Sequence, residues 1–407
     1  MAGQAAHLPD LKVEIGLTTI APSTALYDSA IYDTAVYADA YAFVDVSADV
    51  RRGQFSRGVD RSGVLSTGVA SIVLDNSSRK YSPGNPAGVY FGQLKPWRPV
   101  RLTSPTFGAL FVGWVQQWTD LDLLVQGNSE TTVDCVDCTA FLAATDVTGT
   151  VLPSETVGSR ITRLIALTGA LVNVIGGATG ITLQASIGSG SALQEVTNAV
   201  LADGGLLYVD AQGSLVFIGR AQIAGVYGSP AATLTDDPLS SLHKYREVTW
   251  ELDGTWVANR VTANRLGGPT FTLTDEAAVV ADGLRTLPAN QLRDVLALND
   301  ADVGDLAIYR LGRNAKPILA PGSVLVDAMV ELTDQRSVVA LDVNARVDLR
   351  RRFPGASPIL ATNSVRAISQ SFDPGTWRVR LDLVALPAWI ITPPLYDTAL
   401  YDTDVYA

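Results

Sequence analysis

Three features of this 407-residue sequence predict a β-rich α+β fold. Short β-branched runs fill the first 145 positions, VASIVL, PVRLTS, ALFVGWVQQW, DLLVQG and TTVDCV, separated by Gly, Pro, Asn or Asp. That is the pattern of a small barrel or sandwich. Near residue 150 the apolar spacing lengthens to that of helices. From about residue 233 strand-type runs return, so a mixed block lies between two strand-rich stretches.

The elements follow in order. After VASIVL, the cluster Asp75, Asn76, Ser77 and Ser78 turns the chain through side-chain bonds to its own backbone. Pro83, Pro86, Pro96 and Pro99 then restrict φ and withhold donors, which predicts an ordered, non-helical loop before PVRL. SETVGSRITRLIALTGALV opens with capping residues and repeats Ile161, Leu164, Ile165, Leu167 and Leu171 at roughly helical spacing. In ALQEVTNAVLADGG, Leu193, Val196, Val200 and Leu201 share a face, and Gly204 ends the helix. LLYVDAQGSLVFIGR alternates across a turn at Ala211 to Gly213, a hairpin. REVTWELD, WVANRVTANRL and FTLTD read as strands, and residues 276 to 316 as more helical. VLVDAMVEL, SVVALDVNARVDL, ATNSVRAISQSFDPG and TWRVRLDLVAL close the body as strands.

Composition narrows the function. A net charge of −11 argues against a nucleic-acid-binding surface, which needs clustered Lys and Arg. The dense basic clusters, Arg51-Arg52 and Arg350-Arg351-Arg352, read as solvated or salt-bridged faces. No stretch approaches the roughly eighteen uninterrupted apolar residues of a membrane span. MAGQAAHLPDLK lacks a basic segment followed by an apolar core, so the expected site of synthesis and folding is a cytoplasm.

Catalytic patterns are weak. His7 and His243 are the two histidines, without a G-x-S-x-G elbow or H-E-x-x-H spacing. Cys135 and Cys138 form one C-x-x-C on a strand entering a helix and read as small structural thiols, with neither a redox nor a zinc ligand set around them. Gly176, Gly177 and Gly180 lack dinucleotide spacing and read as a loop. Asp236-Asp237 and Asp300 with Asp302 are the acid pairs open to a hydrolase reading. The expectation is a non-enzyme with no catalytic residue, cofactor or metal.

One repeat stands out. LYDSAIYDTAVYADAYA (26–42) recurs as LYDTALYDTDVYA (395–407), matching Tyr27, Asp28, Tyr32, Asp33 and Tyr37 to Tyr396, Asp397, Tyr401, Asp402 and Tyr406. A period of five fits neither helix nor strand and predicts serial turns. Tyr presents a large face at low entropic cost, so these ten residues are the candidate interface, expected to dock on a neighbouring subunit or another protein of the same assembly.

The order A-x-I-x-L-D-N-x-x-x-x-Y-S-P-x-N, an aromatic pair, then L-x-P-x-x-P-V-R-L across residues 69 to 102 resembles minor tail proteins of long-tailed actinobacteriophages, relatives of the baseplate hub. Further matches in family order are VDVSADVRRGQFSRGVDRSG, LFVGWVQQW, TTVDCVDCTAFLA, ALQEVTNAVLADGGLLYVDAQGSLVFIGR, WVANRVTANRLGG and ISQSFDPGTWRVRLDLVAL. They cover most of residues 40 to 387. Where the family usually carries Asp-Gly-Arg after the Asp-Asn pair, this chain has Ser78-Arg79-Lys80.

The resemblance implies a hub-like α+β protein with two small β-barrel or sandwich domains and α/β insertions. Divided accordingly, residues 1–42 are an arm, 43–150 the first β-domain and 151–232 an α/β module. Residues 233–275 plus 317–390 are the second β-domain, 276–316 a helical insertion and 391–407 a second arm. It further implies a structural virion protein at the tail tip: a homo-oligomer, a trimer over a hexamer, joining tail tube to tip and lining the DNA exit channel. Its partners would be the distal tail protein, the tape-measure protein and other tail-tip proteins, and DNA would pass without specific binding. A distal tail ring protein is the alternative within that class. A host-receptor or carbohydrate-binding module, using Trp114 with Trp118 or Trp250 with Trp256, and a cell-wall hydrolase are alternatives outside it.

Overall fold

The computed structural model describes residues 10–386 apart from 20–40, 61–64, 122–128, 171, 177–178, 253, 255–256, 289–291, 315–318 and 330–334. It is a β-rich α+β protein whose main sheet holds fourteen strands. One half of that sheet runs through Val50–Val59, Leu65–Asp75, Glu130–Val136, Gly108–Leu121, Pro99–Ser104, Lys12–Thr19 and Tyr41–Asp45. The other half contains Ala232–Thr235, His243–Lys244, Glu247–Leu252, Leu319–Asp327, Arg346–Phe353, Ala356–Asp373 and Thr376–Ala385. Each half therefore contributes seven strands among the described residues.

The halves meet through one strand pair. Ala356–Asp373 runs antiparallel to Val50–Val59, from Ala367 opposite Gly58 to Phe372 opposite Gly53. The same 18-residue strand pairs at its start with Arg346–Phe353 and further along with Thr376–Ala385. One apolar cluster lies beneath both halves and includes Val13, Ile72 and Leu102 from one side, Val326, Leu349 and Leu381 from the other. The alternating burial of Pro99–Ser104 and Thr376–Ala385 shows why: every second residue faces this core.

A second apolar cluster holds the α/β module. Thr156 and Ser191 cap the helices Val157–Leu167 and Ala192–Asp203 by accepting the N–H of Ser159 and Gln194. Gly204 ends the second helix with φ 74°, a left-handed conformation suited to glycine. Ile161, Leu164 and Ile165 enter the core as their spacing predicts, whereas Leu167 faces solvent and Leu171 lies outside the described residues. The hairpin Leu206–Val209 to Leu215–Ile218 closes as read, with Asp210 accepting the N–H of Gln212 and Ser214.

Several boundaries differ from those read in sequence. Lys12–Thr19, grouped above with the first arm, is a sheet strand between Pro99–Ser104 and Tyr41–Asp45. The pair Arg260–Ala263 and Phe271–Thr274 packs Val261 and Ala263 into the α/β core with Leu306 of the helix Asp300–Asn314, away from the second β half. SVVAL is not a strand: Gln335–Ala340 is a 3₁₀ turn, because consecutive Val338 and Val339 both point inward and defeat alternation. The run DLLVQG falls almost wholly on residues 122–128, outside the described residues.

Candidate functional site

Two regions have features of an assembly site: the junction between the sheet halves and the loop from Asn76 to Arg98. At the junction the ladder is regular, while each strand shifts register against its outer neighbour, between Ser56 and Gly58 against Leu65–Asp75 and between Val365 and Ala367 against Thr376–Ala385. Gly58 sits there at φ 152°, and a Cβ on it would lie 2.5 Å from the Cα of Ala367. Buried Arg57 donates Nε to the Leu110 carbonyl at 3.2 Å and pairs through Nη1 with Asp342. Asp342 Oδ2 also accepts the Ala211 N–H at 3.2 Å. One guanidinium thus ties the first β half, the second β half and the α/β hairpin together. Strand alternation puts Arg57 on the face of Phe55 and Val59, a signal in the sequence that composition alone had blurred.

The loop is built on Asn76. Its buried side chain donates to Ser82 Oγ at 2.8 Å and accepts the Tyr81 N–H at 2.9 Å. A succession of i to i+3 backbone bonds then runs from Asn76 to Phe91. Tyr81 is buried and donates to Asp49 Oδ2 at 2.6 Å; burial, then that carboxylate, pushes its phenol far above the ordinary range. Arg79, in the turn where the family pattern departs, takes φ 57°. Above this fixed base Val89, Phe91 and Trp97 stand 72%, 51% and 45% exposed.

The predicted site residues are placed unevenly. Tyr27, Asp28, Tyr32, Asp33, Tyr37, Tyr396, Asp397, Tyr401, Asp402, Tyr406 and His7 lie outside the described residues, as does Trp256. Trp114 makes an edge contact with Phe141 at 4.8 Å, Trp118 donates to the Lys95 carbonyl at 3.2 Å, and Trp250 lies under Arg351. All three are partly buried and pack against the apolar clusters. An open depression of about 560 Å³ in the α/β module is lined by Glu195, Asn198, Arg293 and Asp294 among apolar residues, with no aromatic side chain.

Three of the four candidate acids are held in ion pairs: Arg352 bridges Asp236 and Asp237, and Arg265 holds Asp300 at 2.6 Å, while Asp302 accepts from the Asn299 amide at 3.4 Å. Both basic clusters are likewise engaged. Arg51 and Arg52 bind Glu130, and Arg351 stacks on Trp250 and Phe353. Cys135 and Cys138 are buried free thiols, and burial raises the pKa of both.

Asp137, between strand and helix at this C-x-x-C, is buried yet accepts from Gly68 N at 2.7 Å and from the Thr139 N–H and hydroxyl at 2.9 and 2.6 Å. Burial outweighs these bonds and pushes its carboxyl up to about 6. A raised carboxyl pKa favours the folded state at low pH, and that contribution fades as pH rises from about 4 to about 6. It amounts to about 3 kcal/mol at 1.36 kcal/mol per unit. Urea titrations of the wild type and Asp137→Asn across pH 4 to 7 are expected to show their stability difference changing by that amount. A difference independent of pH would refute the assignment.

Neither a family model nor a curated protein matches this chain. Solved structures do. A tail protein from Neisseria meningitidis MC58 superposes with a TM-score of 0.63 at 14% identity, over 94% of this chain and 98% of that one. The 43 kDa tail protein of prophage MuSo2 from Shewanella oneidensis gives 0.59 at 12% identity, over 92% and 98%. Prophage tail protein gp18 from Listeria monocytogenes EGD-e gives 0.51 at 10% identity, over 91% and 94%. These likenesses single out no actinobacteriophage relative. At such identities they establish the fold: this chain has the architecture of phage tail proteins along almost its whole length.

Proposed function

We propose that this protein is a structural component of a virion, the hub of a phage tail tip, assembling as a trimeric ring that joins the tail tube to the tip and lines the DNA exit channel. The observation that carries this reading is the junction: two seven-stranded halves joined edge to edge by Ala356–Asp373 and Val50–Val59. A chain with two comparable β halves presents two contacts per copy, so three copies can meet a sixfold tube. The end-to-end match to the Neisseria and Shewanella tail proteins supports the same class.

The exposed Val89, Phe91 and Trp97 on an internally braced loop supply an apolar contact to a neighbouring subunit. The net charge of −11 suits a passage that DNA traverses without adhering. Ion pairing of three of the four candidate acids and internal contacts of the described tryptophans favour this reading over a hydrolase or a glycan-binding module. The distal tail protein and the tape-measure protein are the expected neighbours.

Electron microscopy of the assembled tail decides the matter. Three copies per ring at the tail tip are expected; six in the layer above would instead make this the distal tail ring protein.

A further inference from the structure

Three arginine side chains meet without an ion pair near where the described chain ends, the buried Asp203 carboxylate beside them accepting the Arg220 backbone N–H at 2.7 Å. Arg310 and Arg313 lie on the helix Asp300–Asn314, and Arg220 opens the short helix Arg220–Val226. Arg310 Nε is buried with no hydrogen-bond partner. The Arg313 guanidinium donates to the Tyr309 hydroxyl at 3.2 Å, and that of Arg220 reaches only the Asp302 carbonyl, at 3.5 Å. Among the described residues no ion pair neutralises any of the three. Burial and the neighbouring Arg313 lower the pKa of Arg310, as expected where like charges crowd a poorly solvated group. Among the described residues, buried Arg57 is paired with Asp342 and buried Arg160 with Glu155, while buried Arg98 donates to the Gln93 carbonyl and stacks on Tyr41.

Beside the cluster, Leu386 packs with Ile223 and Tyr227, and Tyr309 packs against that group. Beyond Leu386 come 21 residues, PAWIITPPLYDTALYDTDVYA, containing three aspartates and no Lys or Arg. Asp397 is eleven positions past Leu386, a reach of about 36 Å at roughly 3.3 Å per residue. Tethering at Leu386 keeps these carboxylates at high effective concentration over the cluster.

We propose that the C-terminal Tyr-Asp segment docks on its own chain, with aspartates of the Asp397–Asp404 stretch neutralising Arg220, Arg310 and Arg313 and its tyrosines lying against the guanidinium planes. This differs from the sequence expectation that both arms reach a neighbouring subunit, and it does not depend on ring stoichiometry. A guanidinium accepts a carboxylate through paired N–H donors and an aromatic face by stacking, so alternating Tyr and Asp suit three arginines.

The test uses the full chain with the photoreactive residue p-benzoylphenylalanine in place of Tyr401, irradiated and mapped by mass spectrometry. Expected are cross-links to residues 220–227 or 305–314 in covalent monomers, reduced at least tenfold when Asp397, Asp402 and Asp404 are all changed to Asn. A urea midpoint for the triple variant equal to that of the wild type, expected here, separates lost docking from lost fold. Cross-links to these helices only in covalent dimers, cross-links elsewhere, none at all, or indifference to the Asn changes would each overturn the assignment.

Discussion

Replacing Arg160 with alanine is expected to cost about 2–4 kcal/mol of stability, because buried carbonyls lose their donor and a cavity opens. Arg160 is 1% exposed and its partner Glu155 10% exposed, so solvent screens little of the interaction. The guanidinium donates to Glu155 Oε1 at 2.8 Å, to the Pro153 and Gln184 carbonyls at 2.6 and 3.2 Å, and to Ser186 Oγ at 3.3 Å. Its removal would strand the two carbonyls in the α/β module, leave Glu155 to Arg163 alone and open a cavity beside them.

Burial acts to raise the Glu155 pKa, but hydrogen bonds from Arg163 and Arg160 overcome it and hold the carboxyl below its ordinary value. Its stabilisation is therefore present above the ordinary carboxylate range and lost as pH falls through the lowered value. Urea denaturation at pH 7 measures the loss; a variant within 1 kcal/mol of wild type would mean that water replaces the guanidinium. Combining Arg160→Met with Glu155→Gln is expected to restore part of the stability, because the methionine side chain refills the cavity.

The α/β module was legible because its information is local. Thr156 and Ser191 caps, apolar spacing and Gly204 lie within a few residues of what they control. The Asn76 loop was legible for the same reason, its turns being fixed by residues within the segment. The strands were visible as runs, but nothing local states that residue 367 lies opposite residue 58. Register across such a separation is set by which faces share a core, and both sheet halves feed one cluster. Arg57 was hidden for a related reason: its partners, Leu110, Asp342 and through it Ala211, come from three distant segments. Arg310, beside Arg220 and Arg313, became conspicuous only once burial showed its Nε without a hydrogen-bond partner.

Gly58→Ala should test whether that distant pairing sets the architecture, with an expected loss of about 2–4 kcal/mol from overpacking and backbone strain. The added Cβ would meet the Ala367 Cα at 2.5 Å, its Cβ at 2.6 Å and the Arg366 carbonyl at 2.6 Å, none of which is a flexible side-chain end. Relief requires the two paired strands to separate, and Arg57, the next residue, would be pulled from the Leu110 carbonyl and Asp342 as they did so. Gly84→Ala is the matched control: a Cβ there meets nothing within 4 Å, and the expected change is within about 0.5 kcal/mol. Denaturation midpoints compare the two, and equal midpoints would show that the junction tolerates a methyl group. If the halves act as paired ring contacts, Gly58→Ala should also impair ring formation under conditions where the Gly84 variant assembles. Gly58 opposite Ala367 is the end pair of the ladder that joins the two halves, so a clash there opens the junction from its end.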